Sequence, residues 1–103
     1  MLNQLVLVGR IAGEFVDGKI DGQDVKQVKL AIPRSYKNED GEYDTDILPI
    51  ILKGNIGSNV YQYCKKGDIV GIKGSVLTTK NKQIYICAEK VTFLSSKANQ
   101  EED

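Results

Sequence analysis

No histidine and no tryptophan occur among the 103 residues, and there are only two cysteines, two prolines and one methionine. Without imidazole there can be no Ser-His or Cys-His nucleophile pair. Cys64 and Cys87, 23 residues apart and with no CxxC pair, supply too few soft ligands for a structural zinc site. Neither a GxxxxGK[ST] phosphate loop nor a GxGxxG turn is present. An enzyme built on this chain would have to run on carboxylates and lysines alone. The acids of residues 39–46 have no lysine or histidine partner at a telling spacing, so no catalysis, no cofactor and no metal are expected. The longest apolar run is too short to cross a bilayer, and no basic stretch precedes the strand-like residues after Met1. Neither a membrane helix nor a signal peptide is expected, and the cytoplasm is the expected compartment. Two unpaired thiols suit its reducing conditions.

An excess of charge is missing as well: 14 basic residues meet 14 acidic ones. The distribution is uneven, however. Glu14, Asp17, Asp21 and Asp24 against Lys19 leave residues 14–24 at −3, and Glu39, Asp40, Glu42, Asp44 and Asp46 leave residues 39–46 at −5. Both stretches are rich in Gly, Asp and Asn and are expected to be loops. Between them Lys26, Lys29, Arg34 and Lys37 give +4, and residues 47–94 hold seven lysines against Asp68 and Glu89. The basic segments are the sheet-forming ones. At 41% hydrophobic and 27% charged, the chain matches one small globular domain, here residues 1–94. The last nine residues, SSKANQEED, lack large apolar side chains and are expected to form a mobile acidic tail over 95–103. A domain this small buries a limited fraction of its surface, which makes self-association a natural source of extra stability.

Leu2–Ile11 reads as a first strand with Gly9 at a bulge or a close backbone approach. Val25–Ile32 alternates with period two, placing Val28, Leu30 and Ile32 on one face and Gln27 and Lys29 on the other. A polar stretch with Asp40-Gly41 at a turn leads to a third strand, Thr45–Lys53, in which Pro49 belongs at an edge or bulge. Gly54–Cys64 is the one helical candidate, capped by Ser58 or Asn59, with Lys65 and Lys66 at the negative end of its dipole and Gly67 as terminator. Asp68–Thr79 and Gln83–Leu94 then form a hairpin with a short basic tip. Five strands with one short helix between the third and fourth is the plan of the OB-fold, a five-stranded antiparallel barrel that commonly grips oligonucleotides or oligosaccharides. Fold alone does not decide function.

Three blocks carry a more specific likeness. MLNQLVLVGRI, NVYQYCKKGDIVGIKGSV and AEKVTFL, in this order and at compatible spacing, resemble the bacterial single-stranded DNA-binding proteins. That resemblance implies binding by base stacking on aromatic side chains in a basic groove. Tyr36 matches one such aromatic, whereas Ile47, Lys53 and Asn81 stand where stacking residues are common in the family. The last hairpin is shorter than the family's. The tail ends in Glu101-Glu102-Asp103 without the proline and aromatic tip that recruits replication and repair partners, so recruitment through the tail is not expected.

The nucleic-acid contacts expected on the usual OB-fold ligand face are Arg10, Arg34, Tyr36, Lys37, Lys53, Lys73, Lys80 and Lys82. Tyr85, opposite in direction to Ile84 and Ile86, adds a second stack or covers a subunit interface. Tyr61 and Tyr63 are expected to pack in the core and at an interface, and Phe15 and Phe93 in the core. In the first strand Leu5 and Leu7 share one face, and Leu2, Gln4, Val6 and Val8 share the other. The resemblance implies oligomerisation along that second face, with a tetramer expected and a dimer the simpler alternative. The leading function is sequence-independent coating of single-stranded DNA in replication, recombination or repair. The alternative is a primosomal-type OB-fold adaptor acting through protein contacts.

Overall fold

Alternation along each strand decides which side chains face in, and the computed structural model, which describes residues 1–96, follows that alternation closely. The elements are β1 (Leu5–Ile11), β2 (Val16–Ile20), β3 (Gln23–Lys37), β4 (Tyr43–Lys53), α1 (Asn55–Tyr63), β5 (Ile69–Thr78) and β6 (Ile84–Ser95). The sheet runs β1-β5-β6-β4-β3, and Arg10↔Ala31 with Ile11↔Leu30 join β3 back to β1, closing a five-stranded barrel. β2 pairs with the first five residues of β3 and stands off the barrel as a ribbon.

Inside lie Ile11, Leu30, Ile50, Leu52, Val70 and Ile72, all fully buried. Each contributes roughly 1.5–3 kcal/mol of apolar transfer free energy. Val60 and Cys64 of the helical segment join this cluster and close one end of the barrel. Burial pushes the Cys64 thiol pKa up, with the Asp68 carboxylate adding to it, and both cysteines are free. Gly9 makes the close approach its position suggests, because a Cβ there would lie 2.7 Å from the Ala31 carbonyl oxygen. No helix among the described residues is long and apolar enough to cross a membrane.

Several expectations need correction. The barrel is not wholly antiparallel: β4 and β6 run parallel, through Ile50↔Ile86 and Ile51↔Cys87. Residues 14–24 are not a loop. They contain β2 and the two-residue turn Asp21-Gly22, with φ of 48° and 83°, which joins β2 to β3. Positive φ at both central residues suits the twist of a hairpin, and Asp-Gly supplies it. The second predicted strand continues to Lys37, so Arg34, Tyr36 and Lys37 ride on a strand arm, with a register irregularity between Pro33 and Lys37. Pro49 precedes the first β4–β6 pair, where that edge of β4 is open, as a residue without an N–H requires.

The helix has no side-chain cap; Gly54 occupies the N-cap position at φ 58°, a backbone that favours glycine. Lys65 and Lys66 lie past the last turn, where the buried Asp68 carboxylate accepts the Lys65 N–H at 2.8 Å. Tyr61, Tyr63 and Phe93 are substantially exposed rather than core residues, although the Tyr61 ring meets Phe15 edge-on at 5.6 Å. The first strand begins at Leu5, leaving Leu2 and Gln4 ahead of it. There Asn3 extends the ladder with its side chain, donating to the Val76 carbonyl at 2.8 Å and accepting the Val76 N–H at 3.1 Å. β6 runs to Ser95, and the predicted tail from residue 97 onward lies outside the described residues.

Candidate nucleic-acid interface

The outward side of β3 and β4 carries an aliphatic row, Ile47, Pro49 and Ile51, facing Ala31, Lys29 and Gln27 in direct register. Lys53 ends the row. Its ammonium donates to the Tyr85 hydroxyl at 3.0 Å, a hydrogen bond that raises the lysine pKa against the opposing effect of partial burial. Tyr85 therefore holds a lysine in place, and its ring lies 5.2 Å from that ammonium. Two hairpins rise beside the row. The β5–β6 tip carries Lys80 and Lys82, and the Lys80 N–H donates to the Asp21 carboxylate at 3.1 Å, tying this tip to the β2–β3 turn. Between the two hairpins a groove opens over Pro49 and Ile51, with a volume of about 330 Å³.

Arg34, Tyr36 and Lys37 form a second group, on the arm made by the end of β3 and the start of β4. Arg34 Nε and Nη2 donate to the two oxygens of Asp46 at 3.1 and 2.9 Å, and Asp44 lies 4.0 Å from Nη1. The hydrogen bond and charge of Asp46 hold the guanidinium pKa above its ordinary value, and Arg34 holds the Asp46 carboxyl below the usual carboxylate range. This cation already has its anion. Lys37 sits 5.9 Å from the Tyr43 ring, and Tyr36 projects freely at 62% exposure.

The remaining two predicted contacts stand apart from both groups. Arg10 Nη1 donates to the Gly67 carbonyl at 2.8 Å, bracing the turn after the helix. Lys73 lies between Val6 and Lys90 on the outer side of β5, next to the apolar face of β1. On that face Val6 and Val8 are 71% and 54% exposed, while Leu5 and Leu7 turn inward and Leu7 packs against the core.

A closed five-stranded barrel with a short helix between its third and fourth barrel strands is the plan of the OB-fold, whose ligand face takes oligonucleotides or oligosaccharides. The model of the single-strand binding protein family matches residues 2–94. The chain belongs to that family. Single-stranded DNA-binding protein 3 of Listeria innocua is 34% identical over 108 residues, covering 96% of this chain and 68% of its own length. Single-stranded DNA-binding protein B of Bacillus subtilis is 37% identical over 79 residues, covering 76% and 70%. Among solved structures, a small single-stranded DNA-binding protein from Streptomyces coelicolor superposes with a TM-score of 0.70 at 17% identity, covering 91% of this chain and 96% of that one. The mitochondrial protein Rim1 of Saccharomyces cerevisiae gives 0.70 at 19%, covering 93% and 98%. These two likenesses establish the fold. The relatives favour the first of the two functional expectations over the adaptor.

For a member of the single-strand binding protein family, the aromatic content of this face is low, and aliphatic side chains fill the middle of β4. Two further polar groups lie on it that were not among the expected contacts: Lys29, exposed opposite Pro49, and Gln27, which lines the groove. The sequence carries a signal for both, because the alternation of VKQVKLAI puts them on the face away from the core.

Proposed function

We propose that this chain binds single-stranded DNA without sequence preference and coats and protects it in replication, recombination or repair, in the cytoplasm and on the nucleoid, with no chemistry of its own. The observation that carries this is the convergence of Lys29, Lys53, Lys80 and Lys82 around one aliphatic face of an OB-fold barrel, with Tyr36 free to stack. Family membership over residues 2–94 and the names of the relatives support it. Lys37 contributes from the strand arm beside Arg34, whose guanidinium Asp46 holds, and Arg10 and Lys73 contribute from farther off. Cations neutralise phosphates and release counterions, so affinity falls as salt rises, by about 0.7 in log K per log salt for each phosphate on a single strand. The functional unit is a homo-oligomer, a tetramer, joined through the outward face of β1 at Val6 and Val8.

Fluorescence-anisotropy titration of labelled oligo-dT at several salt concentrations tests the binding. Moderate affinity at low salt and a steep decline are expected. Tyr36→Ala is expected to weaken binding at every salt concentration by the loss of one stack, about 1–3 kcal/mol, with little change in slope. Salt-insensitive binding, or none, overturns the proposal. Light scattering that shows a monomer at micromolar concentration overturns the oligomer.

A further inference from the structure

The end of α1 gathers aromatic side chains that the nucleic-acid face does not use: Phe15, Tyr61, Tyr63 and Phe93. A groove of about 490 Å³ opens beside it. One bank is the segment ahead of β2, with Glu14 and Phe15; the other is the helix end and the turn after it, with Tyr61, Gln62, Lys65 and Lys66 around the buried Cys64. Phe15 meets Tyr61 edge-on at 5.6 Å, and the Lys26 ammonium, 2.7 Å from the Asp17 carboxylate, lies 4.9 Å from the centre of the Tyr61 ring. The ring is held by two neighbours and is still 58% exposed. An aromatic surface that is already ordered loses little entropy on contact, and such residues anchor protein interfaces. Among the described residues the Glu14 carboxylate and the Lys65 and Lys66 ammonium groups have no hydrogen-bond or ion-pair partner. Opposite charges therefore stand on the two banks of one groove without neutralising each other.

We propose that this groove is a docking surface for a second copy of the chain, related to the first by a two-fold axis. Charge selects the occupant. Under a two-fold, the Glu14 bank of each copy meets the Lys65–Lys66 bank of the other, with the Phe15 and Tyr61 rings between. A nucleic acid in the same place would set its phosphates against Glu14 and the exposed Asp17 as well as against the lysines. The surface is separate from the outward face of β1 at Val6 and Val8. It also leaves the nucleic-acid face open, because Lys26 and Gln27 are successive residues of β3 and project to opposite sides: Lys26 to the helix end, Gln27 to the groove over β4. The seven residues of the lining fall well short of the roughly 20–30 a side of a stable interface, so free copies meet here only weakly. A bound strand that holds oligomers side by side raises their effective concentration to the order of millimolar, and there the contact forms. The helix end thus links neighbours into a row, which rests on the single-stranded DNA reading proposed above.

The test is a charge exchange, read as the gain in affinity of the full chain for an oligo-dT long enough for several oligomers over one that holds a single oligomer. One variant carries Lys65→Glu with Lys66→Glu, the other Glu14→Lys; all three side chains are exposed, so the core is untouched. The parent is expected to gain about tenfold on the long strand. Each variant alone sets like charges against each other at both halves of the contact and is expected to lose that gain. An equimolar mixture of the two restores opposite charges at both halves and is expected to recover it. A parent without the gain, variants that keep it, or a mixture that fails to recover it overturns the docking surface while leaving single-strand binding in place. If Glu14→Lys instead tightens binding to the short strand severalfold, nucleic acid occupies the groove and the second copy does not. A parent chain that binds neither strand overturns the function itself, and the contact between neighbours with it.

Discussion

Two hairpin tips of this molecule share a backbone and differ in charge. At the β3–β4 tip the Asn38 N–H donates to the Glu42 carbonyl at 2.7 Å and the Gly41 N–H to the Asn38 carbonyl at 3.1 Å. At the β5–β6 tip the Thr79 N–H donates to the Gln83 carbonyl at 2.9 Å and the Lys82 N–H to the Thr79 carbonyl at 2.9 Å. In both, the third tip residue has positive φ, 78° at Gly41 and 67° at Lys82, the pattern of a three-residue hairpin loop. Even the side-chain brace recurs, with Asn38 Oδ1 accepting from Glu42 N and Thr79 Oγ1 from Gln83 N. The chemistry placed on this scaffold is opposite: Glu39, Asp40 and Glu42 on one tip, Lys80 and Lys82 on the other. The acidic tip keeps the glycine that the geometry favours. The basic tip holds a lysine there against its backbone preference, and strain retained at an exposed tip points to a use for the side chain.

Making the tips alike in charge should have the largest effect. Lys80→Glu combined with Lys82→Glu removes two cations beside the groove and adds two repulsive charges. Oligo-dT affinity at low salt is expected to fall by more than about tenfold, and the salt dependence to flatten by about 0.7 for each phosphate no longer neutralised. Thermal melting should change little, since both side chains are solvated. Unaltered affinity at low salt would mean that the basic tip lies outside the DNA path.

The acidic arm offers the converse experiment. Asp46 clamps Arg34 through two hydrogen bonds, so Asp46→Asn should release a cation for phosphate without altering the shape of the strand arm. Affinity for oligo-dT is expected to rise severalfold and the salt slope to steepen by about 0.7. The pair also has a pH signature. The Asp46 pKa is depressed in the folded chain by the Arg34 hydrogen bond and charge, so the stability it contributes is present above the unfolded carboxylate value. That stability is lost as pH falls through the lower folded value. Asp46→Asn should remove this acid-limb contribution, and an identical acid limb in parent and variant would show that the pair has no energetic weight.

How legible these features are depends on whether burial or backbone pairing makes them. β1, β5, β6 and the helix lie close to their predicted bounds because each sets apolar residues against the core at a regular spacing. β2 escaped detection because four of its five residues are exposed and the last is half-buried. The ribbon stands on its ladder and on the cross-strand pairs Lys26–Asp17 at 2.7 Å and Lys19–Asp24 at 3.3 Å. The extension of β3 through Lys37 is silent for the same reason, being polar and exposed beyond the barrel. The parallel β4–β6 contact joins residues far apart in the chain and has no local signature. At the site, alternation placed Gln27 and Lys29 correctly, but the Lys53–Tyr85 bond spans 32 residues and the Arg34 clamp couples two stretches read separately as basic and acidic.

The smallest effect, and the sharpest test of the two tips, comes from exchanging the residues that differ at the strained position. A non-glycine residue in the left-handed region carries roughly 1–2 kcal/mol of strain, offset in part by the greater chain entropy that glycine loses on folding, about 0.5–1 kcal/mol. Lys82→Gly should therefore stabilise the fold by about 0.5–1 kcal/mol, raising Tm by a few degrees, while lowering oligo-dT affinity through the missing cation. Gly41→Ala, with open space around the added methyl, should destabilise by about 1 kcal/mol and leave affinity unchanged. Thermal melts and anisotropy on both variants read the two quantities separately. If Lys82→Gly lowers Tm, the lysine at the tip is there for stability, and its strain is not kept for binding. If it raises Tm and weakens binding together, the two tips share one backbone solution and differ in what each is used for.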